Sequence, residues 1–167
     1  MIAVITESTV EPITVTEAKE WLGIQTTTHD AKLTAAIPAA RKKVEQLSGR
    51  SMVVRTVKYT VQEWSGDIIE LPYPVISAIV SVKSMDSSGV ETTHAVSDYA
   101  LVYNRLHFVG NGNSVEITYT TAANAEQFYK LAIKKQLAYD YRNEYTENGF
   151  DQEVIKMISS VTFNLGY

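Results

Sequence analysis

The segment that decides the fold is residues 53–61, which read VVRTVKYTV. Apolar and polar side chains alternate along it, as in a β-strand with one buried face. Upstream, apolar residues recur at three- and four-residue spacing, which is the period of an amphipathic helix. The change of period predicts that a helical segment ends and a β region begins near residue 52.

The first helix upstream of this boundary is predicted to be short. Thr14 and Glu17 form a capping-box pattern, in which the threonine hydroxyl and the glutamate carboxylate satisfy exposed first-turn amides. Gly23 offers a left-handed stop. The helix is therefore expected to lie between Thr14 and Gly23.

A second helix is predicted to begin near Thr28 or Asp30, both of which are good N-caps. It carries one apolar stripe and closes at residues 48–49. Pro38 lies inside this pattern, where a proline is expected to kink the helix or to cap a second segment.

The β region is expected to extend over about residues 52–120. Turn-forming residues at 65–66 and 87–89 divide it into short strands, and the Gly-Asn-Gly-Asn run at 110–113 predicts a hairpin connection. Turn signals at this spacing are typical of a compact antiparallel sheet between two helical parts.

A long helix is predicted over about 122–147 and a shorter one over 150–160, followed by a tail at 161–167. Apolar residues of the long helix fall on several sides, which predicts burial on more than one side. The predicted fold class is α+β. We expect a helical bundle (11–49 and 122–160) with an inserted antiparallel β region, in a single domain of residues 1–167.

Composition excludes several classes of protein. The chain has 167 residues, no cysteine and a net charge of −4. The lack of thiols excludes a disulfide scaffold and thiolate metal sites, and it fits a reducing, cytosolic origin. The acidic balance disfavours a general nucleic-acid binder, and no apolar run reaches the ~18 to 20 residues of a membrane span.

The residue types that commonly act in catalysis do not occur at the spacing that catalytic or metal sites require. His29, His94 and His107 do not occur at metal-ligand spacing. Ser97 and Asp98 lie near His94, but the glycine-flanked turn of a nucleophile elbow is missing. We therefore expect no enzyme activity, and no catalytic, cofactor-binding or metal-binding residues.

Charge is segregated along the chain. Residues 1–30 carry a balance of −4, residues 31–58 of +6, and residues 59–128 of −6, while the remainder is neutral. Such blocks are either solvated faces of separate elements or complementary surfaces within or between chains. For pairing between subunits the candidates are three bases and three acids: Lys42, Lys43 and Arg50 against Glu63, Asp67 and Glu70.

An ordered set of short motifs runs through most of the chain. The set consists of PITVTEAKEWL (12–22), VEQLSGR (44–50), IELPYPVISAIVSV (69–82), GVETT (89–93), SDY (97–99), VEITYT (115–120) and AYDYRNE (138–144). It resembles the tailed-phage head–tail connector (adaptor) proteins over about residues 11–147. Residues 150–167 have no counterpart in this resemblance.

The resemblance implies a structural protein of the virion neck that is present in the host cytoplasm during assembly. Such proteins form rings, commonly of twelve subunits, beneath the portal protein and present a surface to a stopper or tail-completion protein. They extend the DNA channel, through which DNA passes without sequence-specific binding, and they need no membrane. An acidic chain suits such a channel, because cationic phosphate contacts would retain the DNA.

The C-terminal segment is apolar and aromatic, whereas free tails are usually polar. It is therefore our candidate for portal binding, unless it simply covers its own domain. The candidate residues are Val154, Ile155, Ile158, Phe163, Leu165 and Tyr167.

Two alternative functions remain open from the sequence. A different tail-completion or tail-terminator protein would share the virion setting but not the portal partner. A small β-rich module that binds a saccharide or peptide would use the hairpins around Tyr99, Tyr103 and Tyr119.

Overall fold

The computed structural model describes residues 1–123, 126–143 and 149–163. The chain divides into two compact units. The first, here called the β unit, comprises Met1–Thr9 and Val53–Ala123, and the second, the helical unit, comprises Val10–Met52 and Asn124–Tyr167. The predicted α+β class and the boundary near residue 52 are confirmed. One domain over residues 1–167 stays a prediction.

The β unit is a six-stranded antiparallel sheet. Its strands are β1 (Ile2–Glu7), β2 (Arg55–Glu70), β3 (Ile76–Met85), β4 (Glu91–Thr93), β5 (Tyr99–Val102) and β6 (Arg105–Thr121). The order across the sheet is β1-β2-β6-β3-β4, and β5 pairs with the first part of β6. A short 3-10 helix, Val96–Asp98, precedes β5. The sequence analysis did not predict β1.

The long ladder between β2 and β6 shows that two predicted turns were wrong. The supposed turn at 65–66 lies inside β2, and the supposed hairpin at 110–113 lies inside β6. They pair with each other across the ladder, with Ser65 opposite Asn111 and Gly66 opposite Gly110. Glycine and asparagine permit a turn but do not impose one, and here a paired partner strand keeps them extended. A register shift after Gly66 absorbs the irregularity.

The core of the β unit lies on the central strands and on the segment after β2. Its buried members are Val57, Ile69, Leu71, Val82, Leu106, Phe108, Val115, Ile117 and Tyr119. The Tyr119 hydroxyl donates to the Pro72 carbonyl at 2.6 Å, which satisfies the polar tip of a buried ring. Burial raises the pKa of the Tyr119 hydroxyl above its usual range.

The helical unit contains α1 (Val15–Leu22), α2 (Asp30–Ser48), α3 (Gln127–Arg142) and α4 (Gln152–Phe163). The predicted capping box of α1 is confirmed: the Glu17 amide donates to Thr14 Oγ1 at 3.1 Å, and the Thr14 amide donates to the Glu17 carboxylate at 2.8 Å. Gly23 ends α1 at φ 71°, the left-handed conformation that glycine adopts without strain. The hydrogen bond from the Thr14 amide lowers the pKa of the Glu17 carboxyl.

Helix α2 runs through Pro38 as a single helix, so Pro38 does not begin a second segment. Buried Ile37 and Ala40 flank the proline and belong to the core, and their packing holds the helix together there. The helix spans Asp30–Ser48 and Gly49 is its C-cap, as the sequence indicates, but its N-cap is His29, without a side-chain hydrogen bond, so neither Thr28 nor Asp30 caps it.

Helix α3 is shorter than the predicted helix over 122–147, and within its own unit it buries one stripe. Burial of its other sides against a neighbouring copy stays a prediction. Its buried residues recur at helical spacing, while Leu131 is exposed. The core of the unit consists of Ile13, Ala18, Ile37, Ala40, Val44, Met52, Tyr129, Ala132, Ile133, Leu137, Val154 and Ile158. Within the described part of the chain, no helix is long and apolar enough to cross a membrane.

Candidate assembly surfaces

A buried ion cluster organises the helical unit around Arg41, whose side chain is 2% exposed. Its Nε donates to Glu11 at 2.8 Å, and its Nη1 donates to Glu45 at 2.7 Å. The second oxygen of Glu45 accepts the Met52 amide at 2.7 Å. Glu11 and Met52 lie where the chain enters and leaves the first segment of this unit. The cluster therefore attaches both ends of that segment to α2.

Part of the segregated charge is neutralised inside each unit. In the helical unit, Glu11 of the acidic block pairs with Arg41 of the basic block. In the β unit, Glu7 lies 3.5 Å from Arg55, and Lys58 lies 3.0 Å from Glu116. The blocks identified in the sequence are thus partly complementary surfaces of one chain.

The six residues predicted for pairing between subunits lie in two places. Glu63, Asp67 and Glu70 are exposed along β2 in the β unit. Lys42 is exposed on α2, and Arg50 is half-buried just after it. Their role between subunits stays a prediction.

Lys43 is already ion-paired within its own unit. Its Nζ donates to the Asp140 carboxylate at 2.8 Å and to the Gly149 carbonyl at 3.1 Å. Asp140 also accepts from Gln136 at 2.9 Å. Lys43 therefore ties α2 to α3 and to Gly149, three residues before α4 begins.

Two of the six predicted portal-binding residues are core residues. Val154 and Ile158 are buried and pack with α2 and α3, because α4 directs this stripe toward its own unit. Ile155 is half-buried. The side chain of Phe163, together with Leu165 and Tyr167, lies outside the described residues. Portal binding by this segment stays a prediction.

A groove of about 460 Å³ lies on the helical unit beside α1, α3 and the start of α4. Its lining includes the exposed ring of Trp21 and the charged side chains of Lys135, Arg142, Asp151 and Glu153. The ion pair between Lys135 and Glu153 raises the pKa of the lysine and lowers that of the glutamate. Charges of both signs beside two aromatic rings, Trp21 and Tyr139, form a polar surface rather than an apolar pocket.

The structure brings His94 to Ser84, not to Ser97. Ser84 Oγ lies 2.8 Å from His94 Nε2, while Asp98 Oδ2 lies 4.0 Å from His94 Nδ1, beyond hydrogen-bond distance. The same Asp98 oxygen accepts the Ala95 amide at 2.9 Å. His94 also packs edge-on against Phe108, so these contacts hold the segment after β4. Among the described residues, no cluster of three His, Cys, Asp or Glu could hold a metal ion.

The three tyrosines considered for a ligand-binding module are not a shared surface. Tyr119 is buried, Tyr99 is half-buried and packs against the core, and Tyr103 is 90% exposed. A saccharide or peptide site built on all three rings is therefore not present on the described surface.

The sequence analysis missed the two edges of the β-sheet. All six residues of β1 are exposed, including Ile2, Val4 and Ile5. At the other side of the sheet, β3 exposes Val80. The sequence does show two runs of uncharged residues, 2–6 and 76–82. An edge strand, however, can be recognised only when the pairing of the strands is known.

Comparison with known proteins gives a consistent result. The family model described as "Head completion protein" matches residues 11–163. Among solved structures, the neck of an empty GTA particle computed with C6 symmetry superposes with a TM-score of 0.77 at 20% identity, covering 96% of this chain and 94% of that chain. The virion of a native gene transfer agent particle gives 0.75 at 22% identity, with coverages of 96% and 94%. No curated protein matches the chain.

A third structure, the neck of a native GTA particle computed with C12 symmetry, gives a TM-score of 0.66 at 20% identity, covering 93% of this chain and 94% of that chain. At these identities the structural matches establish the fold. The resemblance to head–tail connector proteins is confirmed. The family match also includes α4, which the resemblance in sequence did not reach.

Proposed function

Since the chain belongs to the head completion protein family, it is a structural head–tail connector, and we propose that it forms a ring beneath the portal of the virion neck. The observation that carries this proposal is the family match over residues 11–163, which spans helices of the helical unit and all of β2 to β6. In this role the ring extends the DNA channel and offers its opposite face to a stopper or tail-completion protein. The role is structural rather than catalytic.

The proposed ring contains twelve copies. The related fold occurs in particle necks computed with C6 and C12 symmetry, which supports this number. A ring of identical copies requires two different surfaces on each copy that fit one another, because the contact is head to tail. The charge blocks of the chain provide one such source of complementarity.

Ionic pairing between neighbouring copies is part of the proposal. Lys42 and Arg50 on one copy would face Glu63, Asp67 and Glu70 on the next. Exposed ion pairs are screened at high ionic strength, so ring formation should weaken as salt approaches ~1 M. If ring formation does not depend on salt concentration, these residues do not form the contact between copies.

The DNA channel is proposed to be lined by acidic rather than basic side chains. Residues 59–128 carry a balance of −6, which favours passage of DNA without retention. Locating Lys and Arg side chains in a particle reconstruction tests this. A lumen lined by basic residues would overturn it.

For the portal contact, we propose α4 and the residues after it, with Ile155, Phe163, Leu165 and Tyr167 as candidates. Deletion of residues 164–167 retains the buried Val154 and Ile158, so the helical unit should fold while portal binding weakens. Deletion of 150–167 removes both core residues and is expected to unfold the unit. Portal binding that is unchanged after the short deletion would exclude Leu165 and Tyr167.

The direct test of the function is assembly without this chain. Particles made in its absence should have filled or partly filled heads without attached tails, and supply of the chain should restore joining. Purified chain mixed with purified portal should form a complex of defined stoichiometry, visible by electron microscopy. Binding to tail proteins but not to portal would favour the tail-terminator alternative instead.

A further inference from the structure

We propose that neighbouring copies in the ring join through their sheets, with β1 of one copy pairing along the free edge of β3 of the next. This inference rests on the proposed ring function and identifies the contact that builds it. It requires two matching strand edges on one chain, and the β unit has both.

Strand β1 is the first edge. Within the described residues it pairs only with β2, so its other side has no partner strand. Residues 2–6 read IAVIT, without charge or proline, and Ile2, Val4 and Ile5 are 48%, 44% and 51% exposed. Soluble proteins usually protect an edge strand with charge, proline, a β-bulge or a cover; between residues 2 and 6, β1 has no charge and no proline, and its one irregularity is the register shift between Val4 and Thr6.

The first part of β3 is the second edge. Strand β4 covers only Lys83–Met85, and the His94 amide bonds the Val82 carbonyl at 2.9 Å. Across the described residues, 76–81 pair with β6 on one side and with no strand on the other. This segment reads ISAIVS, again without charge or proline, and Val80 is 59% exposed.

The strand directions fit such a joint. Along the order β1-β2-β6-β3 every neighbouring pair is antiparallel, so β3 runs antiparallel to β1. When the β1 of the next copy extends the sheet beyond β3, it is therefore also antiparallel to β3. Each edge contributes a segment of similar length, residues 2–7 and 76–81. Register shifts between Val4 and Thr6 in β1, and within 76–78 and 79–81 in β3, divide the joint into short paired stretches.

The backbone groups needed for pairing are identifiable on β1. The Thr60 amide bonds the Met1 carbonyl at 2.8 Å, and Ala3 and Val4 lie opposite Lys58 and Val57. Inward-bonded and outward-facing residues alternate in an antiparallel ladder, so Val4 directs its amide and carbonyl away from β2. Since β1 and β3 are different edges, the contact is head to tail and closes into a ring when the rotation between copies allows it.

Cysteine cross-linking tests the pairing, because the natural chain contains no cysteine. Two double variants sample the register: Val4→Cys with Ala78→Cys, and Val4→Cys with Val80→Cys. Assembled particles carrying at least one of them should give a ladder of covalent oligomers on a non-reducing gel after mild oxidation. The matched control, Val4→Cys with the exposed Tyr103→Cys, should give no ladder.

A backbone test complements the cross-links. Val4→Pro removes an outward amide, which an edge strand tolerates in the monomer, whereas Val4→Thr keeps it. Both purified variants should retain the circular dichroism of the original chain, and only Val4→Pro should lose incorporation into particles.

Three outcomes would overturn the inference. The first is incorporated double-cysteine chain without a ladder, and the second is normal incorporation of Val4→Pro. The third is a covalent dimer from Val4→Cys alone in particles, which would indicate β1 against β1. Absence of the unmodified chain from the necks of particles would overturn the ring function itself, and the pairing with it.

Discussion

The helical unit and the β unit satisfy their backbone hydrogen bonds in different ways. Helices satisfy most of their backbone hydrogen bonds within one segment, and the helical unit directs its apolar stripes into one core. A sheet leaves backbone groups unpaired at its edges, and among the described residues of the β unit two such stretches, 2–6 and 76–81, carry no charged side chain and are partly apolar. The apolar stripes of the helical unit are thus covered within the unit, whereas the β unit leaves two strand edges without a partner strand among the described residues.

Each unit contains one of the two tryptophans, which makes the comparison measurable. Trp21 belongs to α1 of the helical unit, and Trp64 belongs to β2, where it stacks on Phe108 at 5.3 Å. Single-tryptophan chains, Trp64→Phe and Trp21→Phe, therefore report the unfolding of each unit separately.

The largest effect is expected from Arg41→Ala, which leaves the buried Glu45 carboxylate and the half-buried Glu11 carboxylate without their cation. Removing one partner of a buried ion cluster typically costs about 3–5 kcal/mol. Urea unfolding followed at Trp21 should show this loss. The exposed neighbour provides the control, since Lys42→Ala should change the free energy of unfolding by less than about 0.5 kcal/mol.

The Trp64 signal decides what the Arg41→Ala result means for the comparison. If the Trp64 transition keeps its midpoint, the two units unfold independently. If both transitions move together, the units form one cooperative structure and the contrast between them is limited to their surfaces. A loss below about 1 kcal/mol at Trp21 would contradict the role assigned to the cluster.

The second prediction concerns a core residue of the β unit, whose unfolding is followed at Trp64. Leu106 is fully buried between the two ladders of β6, and Leu106→Ala should cost about 2–5 kcal/mol through lost burial and the cavity left behind. The change should appear at Trp64. Its matched control is Val102→Ala on the paired strand β5, because Val102 is exposed and its truncation should be nearly neutral. Equal losses in the two variants would contradict the assigned core.

The smallest predicted effect concerns pH and the first turn of α1. The pKa of Glu17 is lower in the folded chain than its usual value of 4.5, so the carboxylate stabilises the fold above that value. This contribution disappears as the pH falls through the folded pKa. Compared with Glu17→Gln, the original chain should be more stable by about 0.3–1 kcal/mol near neutral pH, and the difference should vanish in acid. A difference that is independent of pH would exclude the charge as its origin.

Local signals predicted the helical unit well. The capping box at Thr14 and the glycine stops at Gly23 and Gly49 were all evident in the sequence and are present in the structure. These signals succeed because capping and helical hydrogen bonds join residues only a few positions apart. The burial of Val154 and Ile158 was less accessible, because an apolar stripe on α4 fits a portal surface and its own core equally well.

The β unit was harder to predict for a physical reason. Strand pairing joins residues far apart in the chain, as β2 with β6, and the pairing rather than the local turn residues decided that 65–66 and 110–113 stay extended. For the candidate surfaces, the sequence indicated charged and apolar segments. It did not indicate which of their side chains are already engaged, as Lys43 is by Asp140.

By itself, the sequence determined the α+β class, the boundary near residue 52, the first helix and the membership in a connector family. All of these follow from short-range spacing or from the order of motifs along the chain. Only the tertiary structure decided which apolar residues are core and which strand edges stay open. An edge is defined by the partner it lacks, and that is known only when every other strand has been placed.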